Sequence, residues 1–194
     1  MGWYQVLTPT VHAELGLTAA HQSGFLETPY NAVVIEDGSG PNDNLVDMAS
    51  GTEVFEVLPD SRMRTALHGR VRKLLGPNTA FELGGRIYDD DWGIQSYTLE
   101  PRLYQNLGSE DLRLRLRYRI YDQTASDYYS DQFLTAPEFR TQDSDLGEFQ
   151  SQTIGLKLIW DRTEDTTLDF SIDLVDRDDG LDQLVLSFGW NKNF

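Results

Sequence analysis

Between Leu112 and Tyr121 the chain alternates without a break: Leu112, Leu114, Leu116, Tyr118 and Ile120 hold one parity, and Arg113, Arg115, Arg117, Arg119 and Tyr121 the other. Successive side chains of a strand point to opposite faces, whereas a helix would spread both kinds round its circumference. The segment is a strand with one apolar and one cationic face. Whatever fold contains it must cover the first face or immerse it in lipid, and must offer the arginines water or counter-charges.

Seven further segments share this period of two: Leu7 to Ala20, Arg62 to Leu74, Thr79 to Tyr88, Ser96 to Leu107, Gln150 to Asp161, Thr167 to Val175 and Leu184 to Phe194. They predict about eight strands in one all-β domain over residues 1–194. Short turns around Gly76-Pro77-Asn78, Gly108-Ser109-Glu110-Asp111 and Arg162 to Thr166 interleave with longer loops at 22–60, 89–95, 122–149 and 176–183. Those loops hold 22 of the 32 acidic residues and only Arg140 and Arg177 as cations. The first has enough Val, Ile, Leu and Phe to fold back as a hairpin or plug. Short turns on one side and long loops on the other characterise bacterial transmembrane barrels. The fold class expected is therefore an antiparallel up-and-down transmembrane β-barrel, either whole or the C-terminal part of a larger one. An even strand count places both termini on the periplasmic side of a Gram-negative outer membrane.

Bulk properties constrain less. The mean hydropathy of −0.46 and the absence of a long apolar run exclude a membrane-spanning helix, but a spanning strand needs only about 9–11 residues, half of them polar. A net charge of −16 argues against a nucleic-acid partner. The absence of cysteine removes disulfides and thiolate metal sites. Met1-Gly2-Trp3-Tyr4-Gln5 shows no signal peptide, so an exported protein is expected to have its signal outside this sequence.

Several motifs resemble the DUF3570 family of outer-membrane proteins: Pro59-Asp60-Ser61-Arg62 entering a strand, Tyr88-Asp89-Asp90-Asp91-Trp92-Gly93-Ile94, Thr98-Leu99-Glu100, Arg117-Tyr118-Arg119 and Ser126-Asp127-Tyr128-Tyr129, with Gly24-Phe25-Leu26 and Pro29-Tyr30. The resemblance implies location and architecture, for a C-terminal portion or a shortened member. It carries no catalytic residues.

The candidate site is the charged face itself. Arg62, Arg64, Arg70, Arg72, Arg86, Arg102, Arg113, Arg115, Arg117 and Arg119, with Glu14, Glu82 and Glu100, are expected to line the lumen. In a narrow barrel they form a salt-bridged core, and in a wider one an anion path. Leu186, Phe188, Trp190 and Phe194 resemble the C-terminal signal read by the barrel-assembly machinery. Aromatics such as Trp3, Tyr4, Trp92, Tyr97, Tyr128, Tyr129, Trp160 and Trp190 are expected near strand ends as interfacial girdles.

The rim acids read mainly as solvated. Asp176, Asp178, Asp179 and Asp182 are the metal candidates, with Ca2+ as the ion such oxygens would take. No other cofactor is expected. His12, His21 and His68 lack metal or triad spacing, so the chain reads as a non-enzyme, with His21 beside Ser23 the minor catalytic alternative. The expected partners are outer-membrane lipid, the assembly machinery and a protein contacting the extracellular loops or the lumen. The role reads as structural, anchoring or porin-like transport. The rival from another class is a soluble eight-stranded ligand-binding barrel, with apolar residues inward.

Overall fold

A computed structural model describes residues 1–36, 51–108 and 111–193. Its main element is one antiparallel sheet of nine strands, each beside its neighbour in chain order. They are β1 (Gly2–Thr8), β2 (Val11–Ser23), β5 (Ser61–Gly76), β6 (Thr79–Asp90), β7 (Gln95–Asn106), β8 (Leu112–Gln123), β9 (Phe149–Thr163), β10 (Thr166–Arg177) and β11 (Asp182–Lys192). Between β2 and β5 a small hairpin, β3 (Ala32–Ile35) with β4 (Thr52–Phe55), forms its own two-stranded sheet. The fold-back expected in the first long loop is this hairpin. No helix among the described residues is long and apolar enough to cross a membrane, which says nothing about strands.

All eight expected strands are present, and a ninth, β1, precedes them. Pro9 and Thr10 turn the chain between β1 and β2, within the segment that the alternation read as one strand from Leu7. The strand count is nine rather than eight: β1 covers only the first half of β2, with Met1 opposite Leu17 midway along it, and β11 runs out at the short-turn end. The expected closure is also absent, because β1 and β11 are the two edges of an open sheet among the described residues.

The alternation becomes two unlike faces. One carries Leu17, Leu67, Ile87 and Tyr97 in register across β2, β5, β6 and β7, and Leu168, Trp160 and Trp190 across β10, β9 and β11. These side chains are bare: Ile87 and Ile154 are each 63% exposed, and Phe188 is 73% exposed. The other face carries the arginines and their partners, and several of its residues are buried, including Arg62, Glu82, Ser151, Thr153 and Ser171. A soluble barrel would cover its apolar face and expose its charges, and here burial runs the other way.

Pro101 interrupts an otherwise continuous ladder. It sits inside β7, where it has no N–H to give, and the β7–β8 register passes from Leu99↔Ile120 to Arg102↔Arg117 without a pair between.

The buried apolar residues gather at the long-loop end: Val33, Ile35, Leu58, Trp92, Ile94 and Phe149, with Ala66 just below them on β5. Ile35 bridges to Phe133, and Val57 to Arg140, so the loop before β5 and the loop before β9 are stitched together over that end.

Candidate functional site

All thirteen residues expected on the charged face share it, because the register links them strand to strand: Glu14↔Arg70↔Gly84↔Glu100 in one row, and Arg72↔Glu82↔Arg102↔Arg117 in the next. Opposite charges on facing strands pair as side-chain proximity demands. Arg70 holds Glu14 at 2.6 Å. Glu82 is buried between Arg72 at 2.7 Å and Arg102 at 2.9 Å, and Arg102 also pairs with Glu100. Arg113 reaches Asp161 at 3.4 Å and Lys157 reaches Asp169 at 2.7 Å.

The Arg117–Asp173 pair, at 3.1 Å, crosses an entire strand. Gly155 of β9 lies between them in register, and a Cβ there would stand 2.1 Å from an Asp173 carboxylate oxygen. Glycine is required for the two side chains to meet over the sheet.

Four arginines of the face, Arg64, Arg86, Arg115 and Arg119, have no ion-pair partner among the described residues. Arg86 stacks on Tyr88 at 4.9 Å and Arg119 on Tyr121 at 4.8 Å. The Nε atoms of Arg64 and Arg115 are buried without a hydrogen-bond acceptor.

At the loop end the acidic motif turns inward. Asp90 accepts hydrogen bonds from the backbone N–H groups of Trp92 and Ile94, both at 3.0 Å, from the Tyr88 hydroxyl at 2.6 Å, and from Arg62, which it also pairs at 2.5 Å. Trp92 lies under the Arg62 guanidinium at 4.3 Å, and its indole N–H donates to the Ser61 carbonyl. Gly93 makes the turn possible with a φ of 87°. A second anchor is Glu56, which accepts from the Thr28 N–H at 2.7 Å and from the Thr141 hydroxyl at 2.5 Å. A third is Arg177, stacked on Phe149 at 3.7 Å and paired with Asp145 at 2.7 Å and Asp179 at 2.5 Å. The hydrogen bond from Arg177 holds the Asp179 carboxyl below its ordinary range. Tyr129, donating to Asp131, is pushed up to about 12, chiefly by that hydrogen bond and then by burial.

Reading the rim acids as solvated is therefore corrected for Asp90 and Glu56, which are buried structural anchors. The signal for Asp90 was its place between Tyr88 and Trp92-Gly93; Glu56 had none. Trp92 is correspondingly an interior residue rather than part of a girdle, and Tyr4 lies on the charged face, 2.7 Å from His12 Nδ1. Trp3, Tyr97, Trp160 and Trp190 stand on the apolar face.

Of the acidic residues singled out for metal, Asp176 and Asp182 pair in register, Asp178 accepts from the Gln150 N–H, and Asp179 is held by Arg177. No group of metal-ligating side chains occurs among the described residues. His68 lies across from Gly16 on the charged face, whereas His21 and Ser23 face outward, in register with Met63 and Ser61. Leu186, Phe188 and Trp190 project from β11, an edge strand; Phe194 lies outside the described residues.

A meandering antiparallel sheet with a bare apolar face, an ion-paired opposite face and a loop-end cap defines the class of this protein. The chain belongs to the family described as protein of unknown function (DUF3570), whose model matches residues 1–185. No curated protein matches it.

Proposed function

We propose that the chain is an outer-membrane β-barrel wall, working without catalysis in a structural, anchoring or porin-like transport role. The observation that carries the reading is the apolar face left bare across all nine strands while the charges lie on the other. In water such a face would be an aggregation surface, far larger than the few hundred Å² patches of soluble monomers. In lipid it is what a spanning strand requires, since the inner strands pair their backbone on both sides and every second side chain is apolar.

In this reading the acidic loops face the cell exterior and the short turns the periplasm. The sheet closes through its edges in the membrane. β1 and β11 run in the same direction, so the seam is either a parallel pair or is filled by further strands. Lipid and the assembly machinery, which would read Leu186, Phe188 and Trp190 on the free edge, are the expected partners.

The test is to refold the chain into lipid vesicles and a planar bilayer. Heat-modifiable folding in lipid with conductance steps selective for anions supports a pore lined by the arginine rows. Folding in lipid without conductance leaves the structural or anchoring role. A monodisperse, folded protein in detergent-free buffer would overturn the membrane reading altogether.

A further inference from the structure

We infer that the charged face contains a discrete oxyanion-binding recess just beneath the loop-end cap, built by Arg64, Arg86 and Arg119 and floored by Ser96 and Thr98. The inference rests on the barrel reading only for which side of the sheet is enclosed.

The recess arises from register. Arg86, Thr98 and Tyr121 share one row across β6, β7 and β8, and Tyr88, Ser96 and Gln123 share the next. On β7 both positions are small hydroxyl residues, so the floor is low between two taller walls. Each wall presents an arginine and an aromatic ring two residues apart, Arg86 with Tyr88 on β6 and Arg119 with Tyr121 on β8, each guanidinium stacked on its ring. Arg64 approaches from β5. Ile94 and Leu146 from the loops close the upper end. The cavity that Arg64, Arg86, Tyr88, Ser96 and Tyr121 line holds about 260 Å³, enough for a phosphate or a small organic carboxylate, and Arg86 also lines the adjoining space that contains Thr98 and Arg119.

Charge identifies the ligand. The carboxylates near the recess are already engaged: Asp90 by Arg62, Asp145 by Arg177, and, in the adjoining space, Glu100 by Arg102, Glu82 by Arg72 and Arg102, and Glu14 by Arg70. The three recess arginines have no ion-pair partner among the described residues, and the buried Nε of Arg64 lacks an acceptor. Elsewhere on this face most arginines hold a carboxylate, so unpaired Arg64 and Arg86 around one cavity, with unpaired Arg119 in the space that adjoins it through Arg86, are a local excess. Guanidinium groups fixed by stacking present planar pairs of N–H donors, the geometry that carboxylate and phosphate oxygens accept. Hydroxyls from the floor would complete the shell.

Inorganic phosphate is the probe. The refolded full chain in detergent is titrated with phosphate against chloride at constant ionic strength, with thermal unfolding as the readout. The expected result is a saturable rise in Tm with phosphate that weakens about tenfold or more in apparent affinity in Arg86→Gln and in Arg119→Gln, since each loses a charge-assisted contact. Arg113→Gln, at the opposite end of the face, should keep it. A non-saturable rise, or one equal in all variants, overturns the site. Arg86 is exposed and its replacement should not disturb folding; far-ultraviolet circular dichroism of each variant checks this. Because binding is read without current, a non-conducting barrel that still shows the saturable effect retains the site while losing the transport role, and a conducting barrel without it loses only the site.

Discussion

The loop end and the strand wall are stabilised by different means. At the loop end, Val33, Ile35, Leu58, Trp92, Ile94 and Phe149 are buried around anchored polar groups, as in a small soluble domain. In the wall most large apolar side chains are exposed, and the buried residues are mainly polar or charged: Arg62, Glu82, Ser151, Thr153 and Ser171. One chain thus carries an ordinary core in its loops and an inverted one in its strands. The loop-end core should resist water by itself, whereas the wall depends on its surroundings to make its apolar face favourable.

Breaking the loop-end core gives the largest expected effect. Asp90→Ala leaves the buried Arg62 without its counter-charge and the Trp92 and Ile94 N–H groups without their acceptor, a loss of about 3–5 kcal/mol for a buried pair missing one partner. Urea unfolding of the refolded chain, followed by tryptophan fluorescence, measures it; a loss below about 1 kcal/mol, the level of an exposed pair, would show that this end is not a core. The wall is probed from its outer face. Leu158→Arg should cost about 2–4 kcal/mol in lipid if Leu158 lies near the bilayer midplane. Folding yields in vesicles that match the parent would place that face somewhere other than in lipid.

Two smaller substitutions separate the polar anchors of each region. Thr141→Val removes the hydroxyl that donates to buried Glu56, with an expected cost of about 1–3 kcal/mol. It should expose the segments around Thr28 and Glu56 to proteolysis while leaving the wall intact, and equal cleavage of parent and variant would contradict the anchor. Gly155→Ala puts a methyl between Arg117 and Asp173, and separating that pair should cost about 1 kcal/mol or less. A stability equal to Asp173→Asn would show that the pair is the methyl's only target.

The wall was legible in the sequence because a strand's period of two is local: the alternation at Leu112 to Tyr121 already assigned each residue to its face, and the strand pairing adds only neighbours. β1 was missed because Gln5 breaks its apolar parity and Pro9 falls inside what reads as one continuous run. The pairings were not legible, since which arginine meets which carboxylate depends on register. Arg117 reaching Asp173 over Gly155 joins residues that alternation alone cannot relate. The loop-end core was the least visible part. Glu56 stands in a long acidic loop and looks solvated until Thr28 and Thr141, far away in the chain, converge on it.

The smallest effect expected lies where the two regions join, at Arg177. This arginine ends β10, stacks on Phe149 at the start of β9, and grips Asp145 and Asp179 in two loops. The Asp179 carboxyl titrates below its ordinary value because Arg177 donates to it. A group whose pKa is lower folded than unfolded adds stability above its unfolded pKa and loses it as pH falls through the folded value. The tie should therefore be intact at neutral pH and weaken below about pH 4, where unperturbed aspartates begin to take up protons. Asp179→Asn should abolish that part of the acid response and leave neutral-pH stability almost unchanged, because Asp179 is solvent-screened and Arg177 keeps Asp145. Amide exchange at Asp178 and Leu181, measured across this pH range, reads the loop directly. If parent and variant open together on acidification, the join is held by the Phe149 stack and by Asp145, and the loop-end core reaches into the wall without help from its rim.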